Sequence, residues 1–210
     1  MQRLRITFAK TAAMQYTGHL DLHKTWERTF RRARLPLAYS EGFSPHPKIQ
    51  LGSALPLGFT SDCELVDVWL ETPQDLAMAR AALEQAAPPG IHLSEIREIA
   101  ERTPALQMQV FAAEFRVTLP LTLDAAALDQ RVADLLASPE IRRTRRQKEY
   151  DLRPLIESLA HPASDAQGHT LVMRLTAREG ATGRPEEVVE ALGFPATSAA
   201  YHRQKLFLPE

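Results

Sequence analysis

The chain has 210 residues, 44% of them hydrophobic and 24% charged, and its formal net charge at pH 7 is −1. This length fits one large domain or two small ones, with enough apolar side chains for a hydrophobic core. The single cysteine, Cys63, excludes a disulfide framework within the chain and any cysteine-rich metal or iron–sulfur site built from this chain alone.

The first half of the chain predicts the element order β-α-β-β-α-β. Residues 3–8 alternate polar and apolar side chains as a half-buried strand does, and one apolar stripe that contains Leu22, Trp26 and Phe30 indicates a basic amphipathic helix. Pro73, at a favoured first-turn position, is expected to start the second helix. The predicted elements lie at 3–8 (strand), 19–34 (helix), 37–40 and 49–52 (extended), 63–71 (strand), 73–87 (helix) and 91–99 (strand).

The second half repeats this order, with Asp124 as the predicted N-cap of its first helix and Gly193 as the stop of its last. Its elements are predicted at 110–119 (strand), 124–137 (helix), 142–150 (extended), 151–159 (short helical piece), 169–178 (strand), 185–192 (helix) and 204–208 (strand). Residues 101–107 are the natural linker. The sequence therefore predicts an α+β fold of two tandem ferredoxin-like (βαββαβ) sandwiches with antiparallel sheets, over residues 1–102 and 108–210.

A loop rich in proline and glycine follows the first predicted helix. Pro45 and Pro47 fix their own backbone angles and favour extended conformations at the preceding residues, so His46 is held on a stiff arm. Two interpretations stay open: a structural turn that places Phe43 in a core, or a binding loop.

Charge is segregated along the chain. Residues 3–48 carry nine Lys and Arg against three acids, whereas residues 62–101 carry nine acids against two arginines. A second basic run, 142–148, holds five cations in seven positions. Blocks of like charge are most often solvated faces, but two basic blocks in a nearly neutral protein favour an anionic partner.

Catalytic groups are sparse. His19, Asp21 and His23 lie at the start of the first predicted helix, and His46 lies in the loop after it. Such residues can bind a metal or act as general acid and base, but no His-Glu-x-x-His motif is present and Asp21 is as readily a helix-capping residue. We predict no metal site and keep His19, Asp21 and His46 as the candidates for any catalysis.

Several motifs bear a family resemblance, of which Phe-Ser-Pro-His-Pro-Lys at 43–48 is quite specific. The full set of matching segments is 19–22, 26–28, 30–33, 35–40, 42–48 and 54–58, and more loosely 143–148 and 150–156. Together they resemble the radical SAM-linked proteins of unknown function, in which this domain is encoded beside, or fused to, a radical SAM protein. The resemblance implies that a radical SAM partner holds the iron–sulfur cluster and does the chemistry. This chain lacks the Cys-x-x-x-Cys-x-x-Cys pattern, so we expect an accessory protein with no cofactor of its own.

The leading hypothesis is an accessory module that binds tRNA or rRNA for a radical SAM enzyme. Cations would contact phosphates and aromatic rings would stack on unpaired bases. The predicted RNA-binding residues are Lys24, Arg28, Arg31, Arg32, Tyr39, Phe43, His46, Lys48, Arg142, Arg143, Arg145, Arg146 and Lys148.

Two alternatives stay open. Tandem ferredoxin-like domains also resemble the CRISPR repeat-processing endonucleases, which implies metal-independent RNA cleavage with His46 or His19 as general base. Alternatively, the basic helix docks on an acidic surface of the radical SAM partner without contacting RNA. The first ten residues do not form the apolar run of a signal peptide, and no stretch approaches the roughly 18 apolar residues of a membrane span. We therefore expect a soluble, cytoplasmic protein with no membrane partner.

Overall fold

The computed structural model describes residues 1–178 and 180–209. The chain divides into two units, Met1–Val110 and a second that begins at Phe111. Each unit combines helices with an antiparallel sheet, so the predicted mixed α+β class is confirmed. The predicted domain limits, 1–102 and 108–210, stay predictions. Within the described ranges, no helix is both long enough and apolar enough to cross a membrane.

The first unit follows the predicted order of strands and helices and adds a short helix at its end. Its elements are β1 (Gln2–Lys10), α1 (His19–Arg32), β2 (Ile49–Leu51), β3 (Thr60–Leu70), α2 (Leu76–Ala86), β4 (Ile91–Ile99) and α3 (Leu106–Gln109). The strands pair antiparallel in the order β4-β1-β3-β2. This order gives β1 a neighbouring strand on each side. As in any β-strand, its successive side chains point to opposite faces of the sheet.

One face of this sheet carries the hydrophobic core. Leu4, Ile6 and Phe8 of β1 are fully buried in a cluster with the apolar side of α1. The Trp26 ring of α1 meets the Phe8 ring edge-on, with 4.8 Å between centroids. Three members of the apolar stripe predicted for this helix, Leu22, Trp26 and Phe30, are buried by α1, and the fourth, Ala33, is its partly buried C-cap.

Both helices of this core are shorter than predicted. α2 begins at Leu76, and not at Pro73, because Asp75 is its N-cap and accepts a hydrogen bond from the Met78 backbone N–H at 2.9 Å. A capping carboxylate satisfies one of the free amides of a first turn, which a proline cannot do. α1 ends at Arg32, and Arg34 then adopts a left-handed φ of 57°.

The opposite face of the sheet buries charge. Arg3 and Arg5 of β1 are only 1% and 3% exposed, and Asp67 of β3 is 0% exposed. The Asp67 carboxylate accepts a hydrogen bond from Arg3 Nη2 at 2.7 Å and from Arg5 Nε at 2.8 Å. Further guanidinium donors reach Pro104 O and Gln109 Oε1, each at 3.1 Å. The segment that contains α3 therefore covers this face and pairs with the buried arginines.

This burial changes the charge balance that the sequence indicates for residues 3–48. Lys10 is also buried, and its Nζ donates to the carbonyl oxygens of Gln15 and Phe59 at 3.1 and 3.2 Å. Lys10, Arg3 and Arg5 are therefore three of the nine cations that do not reach the surface. Six cations and three acids of that block remain. Alternation predicts the strand correctly but does not predict that its polar face is covered.

The second unit also combines helices with antiparallel strands, and it contains a separate two-stranded hairpin. Its elements are β5 (Ala112–Leu119), α4 (Ala125–Ala137), β6 (Arg142–Arg145), β7 (Lys148–Asp151), β8 (Ile156–Asp165), β9 (Gly168–Arg178), β10 (Ala181–Thr182), α5 (Pro185–Ala191) and β11 (Ala200–Phe207). The strands pair antiparallel in the order β8-β9-β5-β11, and β10 also pairs with β9. Asp124 is the N-cap of α4, as predicted, and its Oδ1 accepts from the Ala127 N–H at 2.7 Å.

Three predictions for this unit are corrected. The extended segment predicted at 142–150 is the hairpin β6–β7, which turns at Arg146 and Gln147. The helical piece predicted at 151–159 is wrong, because a 3₁₀ turn at Arg153–Leu155 leads directly into β8, whose pairing with β9 overrides local helical preference. The last strand, β11, is longer than the predicted 204–208.

Gly168 fixes where β9 begins. Its φ is +147°, and a Cβ at this position would lie 2.2 Å from the backbone oxygen of Leu119 on β5. Only glycine allows so close an approach of two backbones. The start of β9 and its pairing with β5 therefore depend on this residue.

We predict that Asp67→Ala lowers the free energy of unfolding by about 3–5 kcal/mol, because it leaves two buried guanidinium groups without their carboxylate. The matched control is Glu27→Ala, which removes an exposed i,i+4 ion pair to Arg31 and should cost less than about 1 kcal/mol. Urea unfolding of both variants measures the difference. Equal, small losses would contradict the structural role of the buried cluster.

Candidate nucleic-acid interface

The outward side of α1 is cationic. Its apolar side is turned to the core, so Lys24, Arg28 and Arg31 are exposed. Arg31 Nη2 donates to Glu27 Oε1 at 3.0 Å, one turn away. This pair is exposed to solvent and therefore weak, which leaves the Arg31 charge open to a competing anion.

The loop between α1 and β2 is closed by hydrogen bonds at its base. The Ser40 N–H donates to the His46 carbonyl oxygen at 2.8 Å, and the His46 N–H donates to Ser40 Oγ at 3.0 Å. Next to this pair, the Lys48 N–H donates to the Ala38 carbonyl oxygen at 2.8 Å. The residues between the closing pair, 41–45, are all exposed. The loop is thus a short projection on a fixed base.

Phe43 lies at the tip of this projection with a relative exposure of 111%. The interpretation of the loop as a turn that places Phe43 in a core is therefore wrong. Gly42, just before it, has a φ of +122° with no other atoms near the position of a Cβ. This is a backbone conformation that residues with a side chain rarely adopt, and it turns the chain outward at this point.

The base of the loop contacts α1. The Arg31 guanidinium carbon lies 5.8 Å from the centroid of the Tyr39 ring, within the range of a cation–π contact. Tyr39 is partly exposed, and its backbone bridges to Pro47 across the loop. The structure therefore brings Arg31 and Tyr39, both predicted to bind RNA, into one surface at the base of the Phe43 loop.

Arg32 has a different environment from its neighbours. Its Nη1 donates to the carbonyl oxygen of Ala86, the last residue of α2, at 3.2 Å. A cation at a helix C-terminus satisfies a free carbonyl and is favoured by the helix dipole. At least one donor of Arg32 is thus used within the fold.

The three catalytic candidates lie at exposed positions. His19 and Asp21 are in the first turn of α1, and His46 is at the loop base. Asp21 is not the N-cap, a position that Gly18 occupies without a side-chain hydrogen bond. Across residues 1–178 and 180–209, no group of three or more His, Cys, Asp and Glu side chains could hold a metal ion. A catalytic role for these three residues stays a prediction.

In the second unit, the cations of the hairpin β6–β7 differ in exposure. Arg142 is exposed and pairs with Glu140 at 2.9 Å, and Arg146 and Lys148 are exposed near the turn. By contrast, Arg143 is half-buried, and its Nη2 reaches the backbone oxygen of Glu187 at 3.5 Å. This five-cation run therefore divides into exposed charges and charges used inside the unit.

Arg145 is the most firmly held of these cations. Its Nη2 and Nε donate to the two carboxylate oxygens of Glu187 on α5, at 2.6 and 3.1 Å. The Tyr150 hydroxyl donates to the same carboxylate and accepts from Arg145 Nη2 at 2.9 Å. Burial first, and then the hydrogen bond to Glu187, raise the pKa of Tyr150 to about 12. This bidentate pair fixes the hairpin against α5.

A basic cavity lies beside this anchored arginine. Its volume is about 490 Å³, and the described residues that line it are Arg145, Arg146, Lys148, Gly180, Thr182 and Arg184. Four of the six carry a positive charge. Arg184 is absent from the predicted site because it lies far along the chain from the basic run, and only the fold brings it beside the hairpin.

Sequence reasoning also missed a chain of hydrogen bonds in the second unit. It runs from Asp129 Oδ1 to His161 Nδ1 (2.7 Å), from His161 Nε2 to Ser164 Oγ (2.9 Å) and from Ser164 Oγ to His169 Nδ1 (2.7 Å). His169 Nε2 ends the chain at the Leu123 carbonyl oxygen, 3.0 Å away. No spacing motif indicates this chain, because α4, β8 and β9 each contribute to it.

The fold of the chain is similar to that of two solved protein chains. One comes from a Cbf5-Nop10-Gar1 complex, with 8% sequence identity, a TM-score of 0.54, and coverage of 99% of this chain and 50% of that chain. The other comes from the archaeal box H/ACA sRNP Nop10-Cbf5 complex, with 10% identity, a TM-score of 0.50, and coverage of 99% and 49%. This chain thus spans about half the length of either solved chain, and at such identities the likeness concerns the fold alone.

A family model described as "uncharacterized protein conserved in bacteria (DUF2344)" matches residues 3–185. The chain belongs to this family. No curated protein matches the sequence. The family description names neither a reaction nor a partner, so the radical SAM protein expected from the motif resemblance stays a prediction.

We predict that Glu187→Gln lowers the pKa of Tyr150 from about 12 toward its ordinary value of 10, because the hydroxyl loses its carboxylate acceptor. A folded pKa above the unfolded one gives stability that is complete below pH 10 and is lost as the pH rises through about 12. Ultraviolet titration, with Tyr150→Phe subtracted to isolate this tyrosine, measures the shift. Glu140→Gln on the same hairpin should leave it unchanged, and an unchanged pKa in Glu187→Gln would contradict the contact.

We further predict that Ser164→Ala destabilises the chain by about 1–3 kcal/mol, because Nδ1 of the buried His169 ring loses its hydrogen-bond partner. Ser158→Ala, at an exposed position on β8, is the control and should be nearly neutral. Urea unfolding compares the two. A neutral Ser164→Ala would mean that the hydrogen-bond chain adds nothing to stability.

Proposed function

We propose that the chain is an accessory RNA-binding module that presents tRNA or rRNA to a radical SAM enzyme. The observation that carries the RNA part is Phe43, an aromatic ring fully exposed at the tip of a loop with a fixed base. The Arg31 side chain of α1 lies beside that base, over the Tyr39 ring. Exposed rings beside cations are the elements with which proteins bind unpaired bases and their phosphates.

The closed loop favours such binding on energetic grounds. Because hydrogen bonds fix its base and Pro45 and Pro47 restrict its backbone, little conformational entropy remains to be lost when a base stacks on Phe43. Lys24 and Arg28 would then contact phosphates from the exposed side of α1, and Lys48 from the loop base. Affinity would come from charge and stacking, with little dependence on base identity.

The strand orders support a tandem ferredoxin-like architecture as part of this proposal. β4-β1-β3-β2 in the first unit and β11-β5-β9-β8 in the second both follow from a β-α-β-β-α-β chain order, apart from the inserted hairpin. One chain of similar fold belongs to an archaeal box H/ACA sRNP, a ribonucleoprotein. That likeness is an analogy at the level of fold. It supports the proposal only together with the exposed ring and cations, which favour RNA binding independently.

The radical SAM partner rests on the motif resemblance alone. In this proposal the partner holds the iron–sulfur cluster, the present chain has no cofactor of its own, and both work in the cytoplasm. Docking of the basic helix on an acidic surface of that partner would use Arg28, Arg31 and Arg32. Copurification that survives nuclease treatment and is lost when these charges are reversed would select docking instead of RNA binding.

We predict that Phe43→Ala weakens binding of single-stranded RNA by about 5- to 100-fold, the range for losing one stacked base. Tyr16→Ala is the matched control, since Tyr16 is an exposed aromatic residue outside the loop, and it should bind normally. Filter binding with total tRNA and rRNA, native and heat-unfolded, measures both. No binding by the unaltered chain at low salt would overturn the proposal.

The salt dependence separates stacking from charge. Lys24→Ala should reduce the slope of log affinity against log salt by about 1, because one phosphate contact is lost. Phe43→Ala should lower affinity at every salt concentration and leave that slope unchanged. Affinity that does not weaken as salt rises would contradict a phosphate-dependent interface.

A further inference from the structure

The basic cavity of the second unit is lined by four cationic side chains. Glu187 holds Arg145 with two hydrogen bonds and so meets its charge. The other three cations of the lining, Arg146, Lys148 and Arg184, are exposed side chains, and no acidic residue is among the described residues that line the cavity. Three cations at one concave surface favour an anion of more than one charge.

We propose that this cavity binds a phosphate monoester, the terminal phosphate of an RNA strand. A monoester carries nearly two negative charges near neutral pH, whereas each phosphodiester within a strand carries only one, so this cluster distinguishes an end from an interior position. The volume of about 490 Å³ admits the phosphate and the sugar to which it is attached. The inference deepens the proposed RNA-binding function and rests on it for the source of the phosphate.

The turn of the hairpin supports this assignment. Arg146 and Gln147 have φ angles of 50° and 64°, the left-handed values of a two-residue turn that ordinarily contains asparagine and glycine. Other side chains have a conformational cost at these angles, so a functional role for at least one of the two residues is a hypothesis that the strain motivates. Of the two residues, Arg146 lines the cavity, whereas Gln147 is not among its described lining residues.

Arg145 holds the hairpin against the rest of the unit. It is fixed by Glu187 and by the Tyr150 hydroxyl, and its Nη1 donates to the Thr182 backbone oxygen at 3.1 Å. These contacts join the hairpin to β10 and α5 before any ligand arrives. The hairpin that carries Arg146 and Lys148 is therefore held in place before an anion binds.

The direct test is a calorimetric titration of the full chain with inorganic phosphate at constant ionic strength, with sulfate and chloride for comparison. Arg184→Ala and Lys148→Ala should each weaken phosphate binding about tenfold, the effect of removing one charge-assisted contact. Arg116→Ala is the matched control, because Arg116 is an exposed arginine on β5 of the same unit and does not line the cavity. Absence of phosphate binding, or an equal loss in the control, would overturn the site.

Two turn variants separate function from folding. Arg146→Gly should raise stability, by relieving the left-handed conformation, and weaken phosphate binding. Gln147→Gly should also raise stability but keep binding, since it removes no cation. If both variants bind phosphate as the unaltered chain does, Arg146 is not part of the site and the proposal fails.

RNA oligonucleotides with a 5′-phosphate, a 3′-phosphate or hydroxyl ends identify the source of the monoester. Tighter binding of one phosphorylated strand, lost in Arg184→Ala, is the expected result. Equal binding of all three strands would overturn the end-recognition inference and leave RNA binding intact. Phosphate binding without any RNA binding would instead overturn the proposed function and keep a site for a smaller monoester.

Discussion

The fold of the first unit depends on the carboxylate of Asp67, which lies between two buried arginines of the neighbouring strand. A guanidinium group cannot lose its charge by deprotonation in a protein, so each buried arginine needs an internal partner. Asp67 serves both Arg3 and Arg5, and carbonyl and amide oxygens from the segment that ends the unit complete their shells. One carboxylate thereby ties the register of β1 and β3 to the covering of that face of the sheet.

Pairing with an internal carboxylate also determines which cations of the second unit can bind an external anion. Arg145 has a charge met by Glu187, and it acts as a support for the hairpin. Arg146, Lys148 and Arg184 have exposed side chains around a concave surface. In both units, therefore, the count of basic residues overstates the charge available for binding, and the geometry of pairing gives the better measure.

Local pattern predicted much of the fold, because strand alternation, the apolar stripe of α1 and the Asp124 cap are properties of neighbouring residues. It failed where contacts between distant segments determine the structure. Pairing with β9 makes the residues after 155 a strand, and a later segment buries Arg3 and Arg5. The fold also brings Arg184 to the cavity beside the hairpin. The prolines predict that the loop of Phe43 is stiff, but whether the Phe43 ring points inward or outward depends on tertiary structure. The hydrogen-bond chain through Ser164 left no signal in the sequence at all.

Photo-crosslinking of the full chain to single-stranded RNA that contains thiouridine, followed by mass spectrometry of the peptides, tests the central claim most directly. That claim is that the exposed rings of the Phe43 loop and the exposed cations of the hairpin contact RNA, whereas buried basic residues do not. It predicts crosslinks at Phe43 or Tyr39 and in the peptide that contains Arg146 and Lys148, and none in peptides with the buried Arg3 and Arg5. Crosslinks scattered over all basic segments, or absent from the Phe43 loop, would contradict it.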